Sequence, residues 1–195
     1  MRIFLPVFAA LALQFGNTFG NTADAVGFDL SLSNETVNFE VFTPLNRFLN
    51  RGAQLSLGAF YNELDDAVGT LKLFAVGTQS NTRVPYRLSV GGKGYIGEVS
   101  EAEADVGAIA IGGAIEIHYG LGNNPIDLTI EGFFTPGITT FGDTESVIEI
   151  NARVAIEIVP QVKAFIGFRN FEVEDDSNTT LELDDNIHFG VRLQF

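Results

Sequence analysis

The chain closes on NIHFGVRLQF, residues 186–195. Taken in steps of two, Ile187, Phe189, Val191, Leu193 and Phe195 share one face, and His188, Gly190, Arg192 and Gln194 share the other. A period of two is the signature of a strand, because successive side chains point to opposite sides of the backbone. A water-soluble sheet rarely shows five large apolar groups on its last strand. A strand with lipid on one side and a polar interior on the other reads in this way.

The same alternation runs back through the sequence. Ile148, Ile150, Ala152, Val154, Ile156 and Ile158 oppose Glu149, Asn151, Arg153, Ala155 and Glu157. Ile126, Leu128, Ile130 and Phe134 oppose Asp127, Thr129 and Glu131, and Val162, Ala164, Ile166 and Phe168 oppose Lys163, Phe165 and Arg169. Further back, Ile109, Ile111, Ile115, Ile117 and Tyr119 oppose Ala108, Ala110, Glu116 and His118, while Tyr86, Leu88, Val90 and Ile96 oppose Arg87, Ser89, Lys93 and Tyr95. Shorter runs lie at 27–32, 36–43, 53–61 and 68–76. The total is ten candidate strands, with eight as the alternative because the first two runs are short. An even number brings both termini to the same side. The expected fold is all-β: a transmembrane up-and-down antiparallel β-barrel.

Residues 1–25 read as a signal peptide: a charged start at Arg2, the largely apolar stretch Ile3 to Phe15, and an Ala23-Asp24-Ala25 cleavage site. The barrel would then occupy 26–195. No later window offers the roughly 18 uninterrupted apolar residues a membrane helix needs. There is no cysteine, so no disulfide framework is expected. A net charge of −14 argues against nucleic acid as a partner.

The charges sort by position. Seven bases and seven acids fall on inward faces: Lys72, Arg87, Lys93, Arg153, Lys163, Arg169 and Arg192 against Asp29, Glu40, Glu116, Asp127, Glu131, Glu149 and Glu157. Buried charges need partners, so the balance predicts a lumen filled by ion pairs. Alternate connections carry 17 acids and no Lys or Arg, from Glu35 to Asp185. The other connections carry Arg47, Arg51 and Arg83 and no acid. The acidic set is expected as external loops, and diffuse divalent cations are the expected partners there rather than a dedicated metal site, because no spaced D-x-D-x-D-G loop occurs.

The stretches DLSLSNETVNFEVFTPL (29–45), AQLSLGAFYNELDDAVGTLKLFAVG (53–77), DVGAIAIGGAIE (105–116), PQVKAFIGFRNFEVE (160–174) and FGVRLQF (189–195) resemble the YfaZ family of predicted outer-membrane proteins. The resemblance covers nearly the whole mature chain. It implies a bacterial outer-membrane location and a barrel fold, and it transfers no activity. The terminal Phe195 also resembles the signal read by the barrel-assembly machinery, and it equally suits an aromatic girdle at the membrane interface. Outer-membrane lipid, lipopolysaccharide and that machinery are the expected partners.

Catalysis finds little support in the sequence. No G-x-S-x-G elbow and no H-E-x-x-H string occurs. His188, expected near the outer end of its strand beside Asp184 and Asp185, is a faint echo of omptin proteases, and reads better as a hydrogen-bonded lumen histidine. No enzyme activity and no cofactor are expected. The expected role is structural or interaction-based, and the alternative is a narrow cation-preferring, porin-like channel with an acidic mouth. A soluble lipocalin-like barrel is the further fold alternative.

Overall fold

A computed structural model describes residues 26–45, 52–100, 104–120, 125–175 and 179–195. The signal peptide expected over 1–25, and Arg47 and Arg51, lie outside the described residues. Within them every regular element is a strand: β1 (Gly27–Leu32), β2 (Thr36–Pro44), β3 (Ala53–Asn62), β4 (Ala67–Gln79), β5 (Tyr86–Val99), β6 (Ala104–Tyr119), β7 (Ile126–Phe134), β8 (Thr140–Gly142), β9 (Thr144–Val159), β10 (Val162–Asp175) and β11 (Thr180–Gln194).

The strands pair antiparallel with their sequence neighbours, and β1 pairs with β11. Pairing of β5 with β6 completes the ring. Ten strands make the wall. The three-residue β8 adds itself to the outer end of β6, at Val106–Ala108, beyond the reach of β7. The chain is therefore a closed ten-strand antiparallel barrel, and the eight-strand alternative falls because β1 and β2 both take part. Closure leaves the wall with no open edge, the condition for a sheet surrounded by lipid.

The wall is apolar outside. Leu57, Leu71, Leu73, Leu88, Val90, Ile96, Ile109, Ile111, Ile130, Ile150, Ile166, Ile187 and Phe189 are all exposed. In water this would be a very large apolar surface; in a bilayer it is the lipid-facing belt. A lipocalin-like barrel would carry its apolar face inward instead, so that alternative is excluded. Aromatic groups mark both ends. Tyr61 lies beside the outer turn 63–66 and its hydroxyl donates to Asp65. At the other end Phe28 sits 5.9 Å from Phe39 and 6.3 Å from Phe195, centroid to centroid.

Of the inner connections, 80–85 is a longer loop between β4 and β5, and 160–161 is a tight turn between β9 and β10. The Val159–Val162 hairpin turns on Pro160-Gln161, with Gln161 at φ 76°. Proline followed by positive φ is a type II turn, which normally asks for glycine at the second position.

The seventeen acids assigned to outer loops are placed differently. Nine of them, Glu98, Asp105, Glu145, Glu172, Glu174, Asp175, Glu182, Asp184 and Asp185, lie within strands. Glu35, Glu63, Asp65, Asp66 and Asp143 lie in turns, and Glu101, Glu103 and Asp176 fall outside the described residues. The strands run on past the apolar belt, and their sides change character there. On β10, Ile166 and Phe168 face out while Arg169 faces in; beyond them Glu172 and Glu174 face out while Phe171 and Val173 are buried inside. Asp184 and Asp66 are buried rather than solvated.

Candidate functional site: the charged bore

The inward face of the barrel carries two kinds of filling. Towards the outer end lies an apolar layer of Phe60, Val68, Tyr95, Val99, Val106, Ala108, Val147, Phe171, Val173 and Leu183. Phe171 meets Phe60 edge-on at 5.5 Å and Tyr95 at 5.6 Å. A β-bulge in the β10–β11 ladder after Phe171 tilts this hairpin. Side-chain bonds hold its β11 arm to the β1–β3 tips: Thr36 Oγ1 donates to Asp184 at 3.3 Å, and Asn186 Nδ2 donates to Glu35 at 2.8 Å. The sequence reading missed this layer.

Below it, Phe74 and Phe133 stack at 5.6 Å across the bore. They need space that glycine supplies. Gly91 and Gly112 are register partners on the inward face of β5 and β6. A Cβ on Gly91 would collide with the Leu73 carbonyl, and one on Gly112 with the Gly132 carbonyl and the Phe133 ring.

The charged layers follow. Lys72 Nζ lies 3.0 Å from Glu40 and 3.1 Å from Glu131. Lys93 Nζ lies 2.6 Å from Glu149, which also accepts from Tyr95 Oη at 2.7 Å. Lys72 and Lys93 are direct register partners on β4 and β5, an arrangement of like charges that would repel if left alone. Each is instead neutralised by a carboxylate from another strand. Lys93 also rests over the Tyr95 and Phe133 rings, at 5.0 and 5.5 Å.

Asp29 is the hub of the next cluster. It accepts from Arg192 Nε at 2.7 Å and Nη2 at 2.6 Å, and from Arg153 Nη1 at 2.8 Å. The bidentate fork fixes both partners in plane as well as in charge. Arg169 reaches Asp184 at 3.3 Å, a carboxylate the sequence reading had placed in a loop. Nearer the inner mouth, Asp127 holds Lys163 at 2.5 Å and His118 at 2.7 Å, and His118 lies 3.4 Å from Glu116. Glu116 is also 3.8 Å from Arg192.

Of the fourteen charges read as one lumen set, twelve stand in ion pairs among the described residues: Asp29, Glu40, Lys72, Lys93, Glu116, Asp127, Glu131, Glu149, Arg153, Lys163, Arg169 and Arg192. Arg87 and Glu157 stand opposite Glu116 and Lys163 in the ladders without an opposite charge inside 4.0 Å among those residues. Asp184 joins the set.

Glu116, His118 and Asp127 bring metal-type donor atoms within 4.8 Å of one another, two from alternate positions of β6 and one from the facing residue of β7. Lys163 and Arg192 already engage both carboxylates, so the trio works as an ion-pair cluster. His188 does not stand beside Asp184 and Asp185 as a rim histidine. It is 1% exposed, deep in the bore against the Phe165 ring, and neither ring nitrogen makes a well-aligned hydrogen bond to the protein.

A closed wall with an apolar outside and a charged inside defines a membrane-spanning β-barrel. The chain belongs to the family described as YfaZ precursor, whose match runs over residues 8–195. No curated protein matches it. Among solved structures it is similar to the outer membrane channel DcaP of Acinetobacter baumannii, with 11% identity, a TM-score of 0.40, and coverage of 86% of this chain and 54% of that one. The chain thus spans about half the length of that channel.

Proposed function

We propose that this is an integral protein of the bacterial outer membrane whose bore is filled rather than open, and whose role is structural or interaction-based rather than catalytic. One observation carries the reading: the ion pairs are chords across the bore. Lys72 on β4 reaches Glu131 on β7, Lys93 on β5 reaches Glu149 on β9, and Asp29 on β1 reaches Arg153 on β9. None of these strands are ladder neighbours. A side chain that bonds the far wall occupies the space an ion would need. The apolar layer above adds a second barrier, one that water crosses poorly. Among the described residues Asp29, Glu40, Asp127, Glu131, Glu149 and Asp184 are each engaged by lysine or arginine, which supports a non-catalytic reading.

The acidic outer rim is the surface offered to partners. Glu35, Glu63, Asp65 and Asp143 sit in exposed outer turns, where diffuse divalent cations could join them to lipopolysaccharide phosphates. Phe195, exposed and bonded through its backbone N–H to the Val26 carbonyl at 2.8 Å, ends the seam strand at the inner rim and fits both the girdle and the assembly-signal roles.

Single-channel recording of refolded protein in a planar bilayer tests the reading. A folded barrel that stays silent is the expected result. Discrete cation-preferring steps would overturn it and make the protein a narrow channel.

A further inference from the structure

We infer that the cavity midway along the bore is a hydration site, in which His188, Asn151 and Arg169 hold a small cluster of bound water. The inference rests on the reading of the bore as filled.

The cavity has a volume of about 40 Å³. A water needs roughly 10–15 Å³ by the same measure, so there is room for about two or three. Three of its lining residues carry buried polar atoms without a well-aligned protein partner: both nitrogens of His188, Oδ1 of Asn151 and Nε of Arg169. Such atoms lose their hydration on burial and are costly when nothing meets them. The wall is shaped to place the ring there. Gly167 lies opposite His188 in the β10–β11 ladder, and a Cβ at that position would stand 2.6 Å from His188 Nε2.

The chemistry of the four atoms selects the ligand. Neutral histidine offers one donor and one acceptor, the Asn151 oxygen accepts, and the Arg169 Nε–H donates. Two donors and two acceptors suit a molecule that does both. An anion would face two acceptors, and a metal cation would face two donors. Four carboxylates and four Lys or Arg groups line the cavity, so its formal charge cancels and favours neither kind of ion.

The probe is water itself, observed by water-selective cross-relaxation NMR on protein labelled with ¹⁵N-histidine and ¹⁵N-asparagine and refolded in detergent micelles, with Asn151→Asp assigning the Asn151 amide. The chain has two histidines, and His118→Gln assigns the remaining ring as His188. The expected result is cross peaks from the His188 ring and the Asn151 side-chain amide to long-lived water, unchanged when chloride is replaced by acetate. A second variant, His188→Phe, should lose the Asn151 cross peak. Absent cross peaks in a verified folded, non-conducting wild-type barrel would overturn the hydration site alone. Anion-dependent shifts would overturn it in favour of an ion site. Persistence of the Asn151 peak in a folded His188→Phe barrel would overturn the part given to histidine. A conducting barrel would overturn the filled-bore reading whatever the ring shows.

Discussion

The lower and upper parts of this barrel solve opposite problems with the same ten strands. In the lower part the surroundings are lipid, so apolar groups face out and Asp29, Lys72, Lys93 and Arg192 face in. In the upper part the acids Glu98, Glu172 and Glu182 are on the outside, and Val99, Phe171 and Leu183 are inside. The upper part is built like a soluble barrel and the lower part like its inverse. On β10 the exchange occurs without a break in the alternation, as Phe168-Arg169-Asn170-Phe171-Glu172 shows, whereas on β11 the bulge places Leu183 and Asp184 both inside. The difference teaches that each part has its own mode of failure: loss of apolar volume above, and loss of charge balance below.

The largest effect is expected at Asp29. Asp29→Ala removes the common partner of Arg153 and Arg192 and leaves two guanidinium groups buried in the bore. Breaking one buried pair costs about 3–5 kcal/mol, and this change breaks two. The midpoint of urea unfolding, read from the compact unboiled band on detergent gels, should fall more than for any other single substitution considered. A shift no larger than that of a surface substitution would show that the lower part tolerates unpaired charge.

Phe171→Ala comes next. It removes a ring that touches Phe60 and Tyr95 and leaves a void in the outer layer, at about 3–5 kcal/mol for a well-packed phenylalanine. The same gel assay measures it. Conductance should stay silent if the charged chords below act as an independent barrier.

The third expectation is a cycle in a Tyr95→Phe background, which removes the hydroxyl that Glu149 accepts. Lys93→Met alone and Glu149→Leu alone should each destabilise that barrel by about 3–5 kcal/mol, whereas the double variant should return to within roughly 1 kcal/mol of the background, because an apolar pair of similar volume avoids the desolvation that a buried ion pair bears. Double-variant stability well below either single would show that the charges serve the lower part in some further way.

The smallest effect should be at the inner hairpin. Gln161→Gly relieves a side chain held at φ 76° in the Pro160-Gln161 turn and should stabilise the barrel by no more than about 1 kcal/mol. A loss of stability would indicate that the Gln161 side chain bonds something at the inner mouth.

Much of this was legible in the sequence. The ten strands followed from period two, and their number from the sorting of charges between alternate connections. The inward set was read from polarity alone, since lipid outside forces charge inside. The partners were not readable. Lys72 to Glu131 and Asp29 to Arg153 are chords fixed by strand stagger, which alternation does not encode. The outer layer was missed for a physical reason. Acids on the outside of a strand beyond the membrane look, in one dimension, like acids in a loop, so the pattern assigns Glu172 to Asp175 and Glu182 to Asp185 to connections. Phe171, Val173 and Leu183 were interleaved among them and hidden with them. His188 was seen as a lumen residue, but its depth depends on the length of β11 above it.

The seam between β1 and β11 has six residue pairs, joining 27–32 to 194–189. Every other wall strand pairs with a neighbour close in sequence, so nine tenths of the wall can form as hairpins zip up one after another. The last joint alone links the two ends of the barrel chain, and it closes a loop of nearly the whole domain. Contacts of that separation form late and slowly. Until Phe189 to Gln194 have been made and positioned, the edge of β1 away from β2 has nothing to pair with, and two bare strand edges stand open to neighbouring chains. The shortest strand of the wall thus sets the moment at which an aggregation-prone sheet becomes a finished ring.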